Sequence, residues 1–150
     1  MANTYTSLYY HLVFSTKKRE PWLHDEIRER VWAYLGGIAR ENEMTALSVG
    51  GMADHVHVLV MAKPTMPVSK MLQLLKGGSS HWIHETFPQL KSFAWQDGYG
   101  AFTVSKSGIS SVVEYIQNQK EHHQVRTFQE EYLDFLRENG IAYDERYLWD

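Results

Sequence analysis

Cysteine is missing from the 150-residue chain. Disulfide frameworks, thiolate metal sites, iron–sulfur clusters and cysteine nucleophiles are excluded with it. No apolar run approaches the roughly 20 residues that a membrane-spanning helix requires. The opening Ala2-Asn3-Thr4-Tyr5-Thr6 has neither a basic start nor an apolar stretch. The expectation is a cytoplasmic protein with no membrane partner. A glycine-rich phosphate loop is absent, and so are clustered carboxylates of the kind that hold two magnesium ions.

What is present fits one globular domain. Hydrophobic residues at 43% and charged residues at 22% exclude a disordered chain, and five Trp, nine Tyr and six Phe supply bulk for a core. The net charge of −3 argues against a nucleic-acid partner only until its distribution is read. Seven acids and two bases follow residue 126, which leaves eleven acids and thirteen bases in residues 1–126, a net of +2. The body therefore permits phosphate contacts, with Lys17, Lys18, Arg19 and Lys76 as candidates. Scattered lysines also serve as plain solvated surface. The acidic stretch is assigned to packing or assembly.

The pattern of elements predicts a fold. Residues 5–16, rich in aromatic and β-branched side chains, read as a strand closed by the basic triplet and Pro21. Ile27, Val31, Tyr34, Leu35 and Ile38 recur at the helical period over residues 25–41. Residues 45–49 and 54–61 read as a hairpin turning at Gly50-Gly51. A helix is expected over residues 68–87, with Gly77-Gly78 marking a kink, a close backbone approach or a break between two short helices. Residues 91–96 and 101–105 read as extended around Asp97-Gly98. Ile109, Val112, Val113 and Ile116 begin a helix with Ser107 as its N-cap that runs to about residue 123. Thr127 and Glu130 form a capping-box pattern that opens a last helix ending at Asn139-Gly140. Tyr143, Tyr147, Leu148 and Trp149 in the tail are expected to pack on the domain or on a partner subunit. The order β-α-β-β-α-β followed by helices predicts an α+β fold, a ferredoxin-like sandwich with an antiparallel sheet.

Two short stretches carry chemistry. In Asp54-His55-Val56-His57-Val58-Leu59-Val60, strand alternation puts both imidazoles on one face and Val56, Val58 and Val60 on the other. That spacing suits a divalent ion. The competing reading has one histidine in the core, bonded to backbone, and the other exposed. Tyr115 and Gln119 stand four apart on the penultimate helix, with His122 a turn further on. Alone, Tyr115 also reads as an amphipathic residue at the edge of the core.

Together the two stretches resemble a known family. Asp54-His55-Val56-His57 resembles the His-hydrophobe-His (HUH) motif of single-strand DNA nucleases. Tyr115 with Gln119 is similar to the catalytic helix of the HUH-type single-tyrosine transposases of bacterial insertion sequences, the REP-associated tyrosine transposases included. Tyr10-His11-Leu12-Val13-Phe14, Leu75-Lys76-Gly77, Trp95 with Gly98-Tyr99, and Tyr115-Ile116 with Asn118-Gln119 extend the likeness over residues 9–123. The resemblance implies one transposase-like catalytic domain over residues 1–150, with its core at about residues 5–124 and an acidic helix and tail at 127–150. It implies cleavage and rejoining of single-stranded, hairpin-forming DNA through a 5′-phosphotyrosine link to Tyr115. His55, His57 and Gln119 would hold Mg2+ or Mn2+, all three as neutral ligands that leave the ion its full charge. It further implies a homodimer with shared active sites, for which Gly108 would be the hinge.

Other candidates are less specific. His11 and His122 read as groups supporting the site from behind or touching DNA. The His122-His123 pair also suits a helix C-terminus, and His81 with His84 reads as surface before it reads as a metal pair. Two other function classes compete: a sheet that binds nucleic acid without cutting, including a domesticated hairpin binder, and a metal-dependent phosphodiesterase that activates water.

Overall fold

Strand alternation around the histidine pair divides the molecule into two layers. The computed structural model describes residues 3–149. Its strands are β1 (Tyr9–Ser15), β2 (Thr45–Met52), β3 (His55–Met61) and β4 (Gly100–Val104). They form one antiparallel sheet in the order β2-β3-β1-β4, the strand order of a ferredoxin-like sandwich. Its helices are α1 (Asp25–Glu41), α2 (Val68–Thr86), α3 (Ile109–Gln117), α4 (Gln119–His122) and α5 (Phe128–Glu138). No helix among the described residues is long and apolar enough to cross a membrane.

Leu12, Phe14, Val56, Val58 and Val60 point to one face and are sealed by Ile27, Val31 and Leu35 of α1 and by Met71, Leu72, Leu75 and Ile83 of α2. Each such side chain contributes roughly 1.5–3 kcal/mol when fully buried. Cross-strand pairing places Val13 opposite His57 and Phe102 opposite His11, so these residues share the other face. There Val13 and Phe102 pack with Phe128, Tyr132 and Leu136 of α5. The sheet is covered on both sides, and the histidines lie beneath the second cover.

Several expectations change with tertiary contact. β1 begins at Tyr9 rather than at residue 5. Gly50 and Gly51 lie inside β2, and the turn falls at Ala53-Asp54. The reason is a close approach: a Cβ on Gly50 would stand 2.7 Å from the carbonyl oxygen of Ile116, where α3 crosses the sheet. α2 runs unbroken through Gly77-Gly78, and a Cβ on Gly78 would come to 3.0 Å from Ile38 of α1, so close approach is the explanation that holds. Residues 91–96 form no strand. A 3-10 turn at Pro88–Leu90 precedes them, and Trp95 makes an isolated bridge with Thr16. The helix expected to run to residue 123 breaks at Asn118 (φ −100°, ψ 26°) into α3 and α4. Ser107 caps nothing, because the chain enters α3 through a 3-10 turn at Lys106–Gly108. The capping box of Thr127 and Glu130 is present at α5. In the tail, Trp149 packs against Tyr132 and beside the Arg19 guanidinium, whereas Tyr147 stays exposed.

The two kinds of glycine should respond oppositely to a methyl group. Gly50→Ala is expected to destabilise the fold by about 1–3 kcal/mol, because backbone rather than a flexible side chain must yield. Gly77→Ala, with nothing within 4 Å of the added Cβ, is expected to stabilise α2 by about 0.5–1 kcal/mol. Chemical denaturation of both variants checks the pair of signs.

Candidate active site

β3 delivers His55 and His57 side by side, both fully buried, under α3, α4 and α5. Neighbouring strands and turns fix each ring. His57 Nε2 lies 3.0 Å from Glu131 Oε1, and its Nδ1 lies 2.8 Å from His11 Nε2 on β1. A nitrogen that faces a carboxylate carries the proton, so His57 donates to Glu131 and accepts from His11; a metal at Nε2 would take the place of that proton and require the other tautomer, with Nδ1 donating to His11. Burial and the nearby His57 push the His11 pKa down to about 3, against the pull of Glu131. Burial likewise lowers that of His57, opposed by its hydrogen bond to Glu131. Both rings therefore stay neutral at physiological pH. His55 donates from Nδ1 to Asp54 Oδ1 at 2.8 Å, an arrangement that aims Nε2 inward, where Gln119 Oε1 lies at 2.9 Å and Glu131 Oε1 at 3.4 Å. Burial works against ionisation of Asp54, but its hydrogen bond with His55 outweighs that cost and holds the carboxyl below its usual range.

The phenol meets the same carboxylate. Tyr115 Oη donates to Glu131 Oε2 and accepts from Arg126 Nη2 at 3.1 Å. Its ring stacks on His122 with centroids 4.5 Å apart and meets His57 edge-on at 5.7 Å. Burial and the Glu131 charge push the phenol pKa up, with Arg126 opposing. Tyr115 is thus a protonated hydroxyl whose position is already fixed. Glu131 is driven the other way. Burial opposes its charge, and hydrogen bonds from His123 and His57 overcome that cost and hold it ionised. His123 closes the ring of contacts, with Nε2 3.0 Å from Gln119 Oε1 and Nδ1 2.9 Å from the Arg126 carbonyl.

The ligand atoms of His55, His57 and Glu131 all lie within 4.8 Å of one another, a set that can hold a divalent metal. Two imidazoles and one carboxylate suit Mn2+ and later divalent ions better than Mg2+, which prefers oxygen and water. The anion of Glu131, which touches both imidazoles, stands beside the three neutral donors expected from the sequence.

Sequence reasoning brought Tyr115, Gln119, His55, His57, His11 and His122 to one place, and the structure assembles all six there. It missed Glu131, Arg126 and Asp54. Glu131 falls within the stretch assigned to packing or assembly, yet a signal was available. The capping box sets the phase of α5, and Glu131 then lies in the apolar row of Phe128, Tyr132 and Leu136, where a solvated acid has no place. Of the basic candidates, Lys17 and Lys18 are exposed. Arg19 is engaged by Trp149, its Nη1 donating to the carbonyl at 3.2 Å. Lys76 donates to the carbonyls of Gln96, Asp97 and Gly98 at 2.6, 3.1 and 2.9 Å, which makes it a staple of that loop. His81 pairs with Glu85 on the surface and His84 with the Phe93 carbonyl, so these two do not converge.

Comparison with known proteins bears on this arrangement. The IS200-like transposase family model matches residues 4–119. ISDra2 transposase TnpA of Deinococcus radiodurans is 31% identical over 117 residues, which cover 75% of this chain and 84% of that protein. The transposase for insertion sequence element IS200 of Salmonella typhimurium is 32% identical over 126 residues, covering 81% and 82% respectively. A crystal structure of a Deinococcus radiodurans chain described as a transposase superposes with a TM-score of 0.67 at 31% identity, over 79% of this chain and 95% of that one. A REP-associated tyrosine transposase bound to a REP hairpin superposes with a TM-score of 0.60 over 82% and 73%; at 13% identity that likeness is one of fold. The family match ends at Gln119, before Arg126 and Glu131.

A ligand that binds the folded chain alone must raise its unfolding temperature. Mn2+ at a hundredfold excess over its dissociation constant is expected to stabilise the protein by about 2.7 kcal/mol. Thermal unfolding of the wild type and of His57→Ala, each with Mn2+ and with EDTA, checks this: the upward shift should vanish in the variant.

Proposed function

The chain belongs to the IS200-like transposase family, and on that footing we propose that it cleaves and rejoins single-stranded DNA through a covalent 5′-phosphotyrosine intermediate on Tyr115. The observation that carries this reading is that one buried carboxylate touches both the phenol and the histidine pair. His55 and His57 would hold the ion, with Gln119 beside His55 as the family resemblance implies, and His11 fixes His57 from behind. When bound, a divalent ion, Mn2+ or Mg2+, polarises the scissile phosphate and offsets the charge that develops on it.

The residues of the chain supply the rest. Tyr115 Oη attacks phosphorus, its proton passes to Glu131 Oε2, which it already faces, and the Arg126 guanidinium steadies the phenolate. The bond from phosphorus to the 3′-oxygen breaks, and that oxygen leaves as a hydroxyl after taking a proton from water. A second 3′-hydroxyl then attacks the phosphotyrosine, and Tyr115 recovers its proton. The ester conserves the energy of the original phosphodiester, so no nucleotide cofactor is required. Lys17 and Lys18 lie exposed where β1 ends and offer phosphate contacts to hairpin-forming DNA. The family resemblance implies a cytoplasmic homodimer with shared active sites; the packing of α3 and α4 on their own β2 supports instead a protomer in which Tyr115 serves the histidines of its own chain.

Incubation with a labelled stem-loop DNA and Mn2+ tests the reaction. A denaturation-resistant adduct is expected with the wild type and none with Tyr115→Phe, whose hairpin affinity should change by less than about twofold. Free products without an adduct would identify a phosphodiesterase, and a shifted but intact probe a binding module. Mixing Tyr115→Phe with His57→Ala protomers should restore no adduct. Recovery in the mixture would show that the sites are shared between subunits.

A further inference from the structure

Glu131 differs in origin from the ligand pair and the nucleophile it touches. His55, His57, Tyr115 and Gln119 fall within the residues 4–119 that match the family, whereas Glu131 belongs to α5, beyond that span, as do its neighbours His123 and Arg126. Its side chain has no solvent contact. A buried carboxylate is strongly unfavourable unless every oxygen is paired, and here both are. Oε1 meets His57 Nε2 at 3.0 Å, His55 Nε2 at 3.4 Å and His123 Nε2 at 3.4 Å. Oε2 receives the Tyr115 hydroxyl and, at 3.3 Å, Gln119 Nε2. Gln119 Oε1 contacts His55 and His123, so the atom that reaches both strand imidazoles is the carboxylate oxygen of Glu131.

We propose that Glu131 couples the metal centre to the nucleophile: one oxygen joins His55 and His57 as a ligand of the divalent ion, and the other holds the Tyr115 hydroxyl in place. Ion binding, docking of α5 and placement of Tyr115 then form a single equilibrium. The division of labour follows from where α5 is anchored. Its apolar side chains Phe128, Tyr132 and Leu136 hold it to Val13 and Phe102, and Glu131 is the acid in that row. The apolar contacts bring the helix to the sheet. The carboxylate fixes its register over the site, because a shift of one residue would either bring Tyr132 between the rings or carry Glu131 into the apolar row.

The proposal rests on the metal-dependent reading of the same centre, and the two can fail separately because the decisive measurement uses no DNA. Mn2+ affinity is measured by calorimetric titration of the full chain, and amide exchange across residues 128–138 is followed with Mn2+ and with EDTA. Mn2+ is expected to slow exchange in α5 of the wild type at least severalfold. E131Q is expected to bind Mn2+ at least about tenfold more weakly and to lose the ion-dependent slowing, with unchanged helical content. L136A, which loosens α5 without touching the carboxylate, should keep Mn2+-dependent slowing. Binding of Mn2+ by E131Q within about twofold of the wild type, or α5 exchange in the wild type indifferent to the ion, overturns the coupling and leaves the phosphotyrosine reaction standing. Should E131Q fail to fold, the wild-type exchange measurement alone decides. A wild type that binds no Mn2+ sinks both the coupling and the metal centre.

Discussion

An ionised carboxylate sealed from water sets the terms for everything around it. Glu131 can remain charged beneath α5 because imidazole, phenol and carboxamide donors converge on its two oxygens. Remove those donors and the charge becomes costly by several kcal/mol. Remove the charge and the donors lose their common acceptor. The mutual dependence orients His57 through His11, ties Tyr115 to Gln119 through one group, and explains why β1, β3 and the stretch 115–131 meet at one point. Packing alone does not require such a cluster. An apolar residue in the row of Phe128, Tyr132 and Leu136 would satisfy α5 and leave the histidines without an anion.

How much of this was readable in the sequence depends on the range of the interaction. The alternation of His55 and His57 with Val56, Val58 and Val60 is local, and it fixed which face was core and which was site. Four-residue spacing placed Tyr115 and Gln119 on one side of their helix, although the break at Asn118 was invisible to it. Gly50-Gly51 looked like a turn because the pair usually is one, and only the crossing of α3 over β2 shows why small residues are needed within a strand. Glu131 was harder. Its partners lie 8 to 76 residues away and on other elements, so no single window of periodicity contains them all. The misplaced acid in an amphipathic row was nevertheless legible as an anomaly, and the overall acidity of the C-terminal segment hid it.

The charge arithmetic changes if Glu131 is counted as a ligand, as proposed. Neutral donors alone would leave a divalent ion its full double charge, whereas one carboxylate in the set reduces the net charge of the assembled centre to +1. A less cationic centre attracts phosphate more weakly, but it retains its ion more firmly against a competing DNA backbone. The body of the chain compensates at longer range, with its net of +2 over residues 1–126 and the exposed Lys17 and Lys18 near the end of β1.

The proposed nucleophile, held protonated by the group that would receive its proton, is poised rather than active. Burial and Glu131 keep the Tyr115 hydroxyl neutral, while Arg126 favours the phenolate and is itself paired with Asp134 on the same helix as Glu131. Glu131 and Asp134 thus act from opposite sides of one problem. The first restrains the phenol directly, and the second positions the cation that would stabilise its charged form. The arrival of a phosphate alters this balance, because the new anion competes for Arg126 and brings an electrophile to the lone pair of Oη. Activation therefore belongs to the substrate complex. The free chain keeps the Tyr115 oxygen occupied, which is the safer state for a catalyst with the covalent intermediate proposed above.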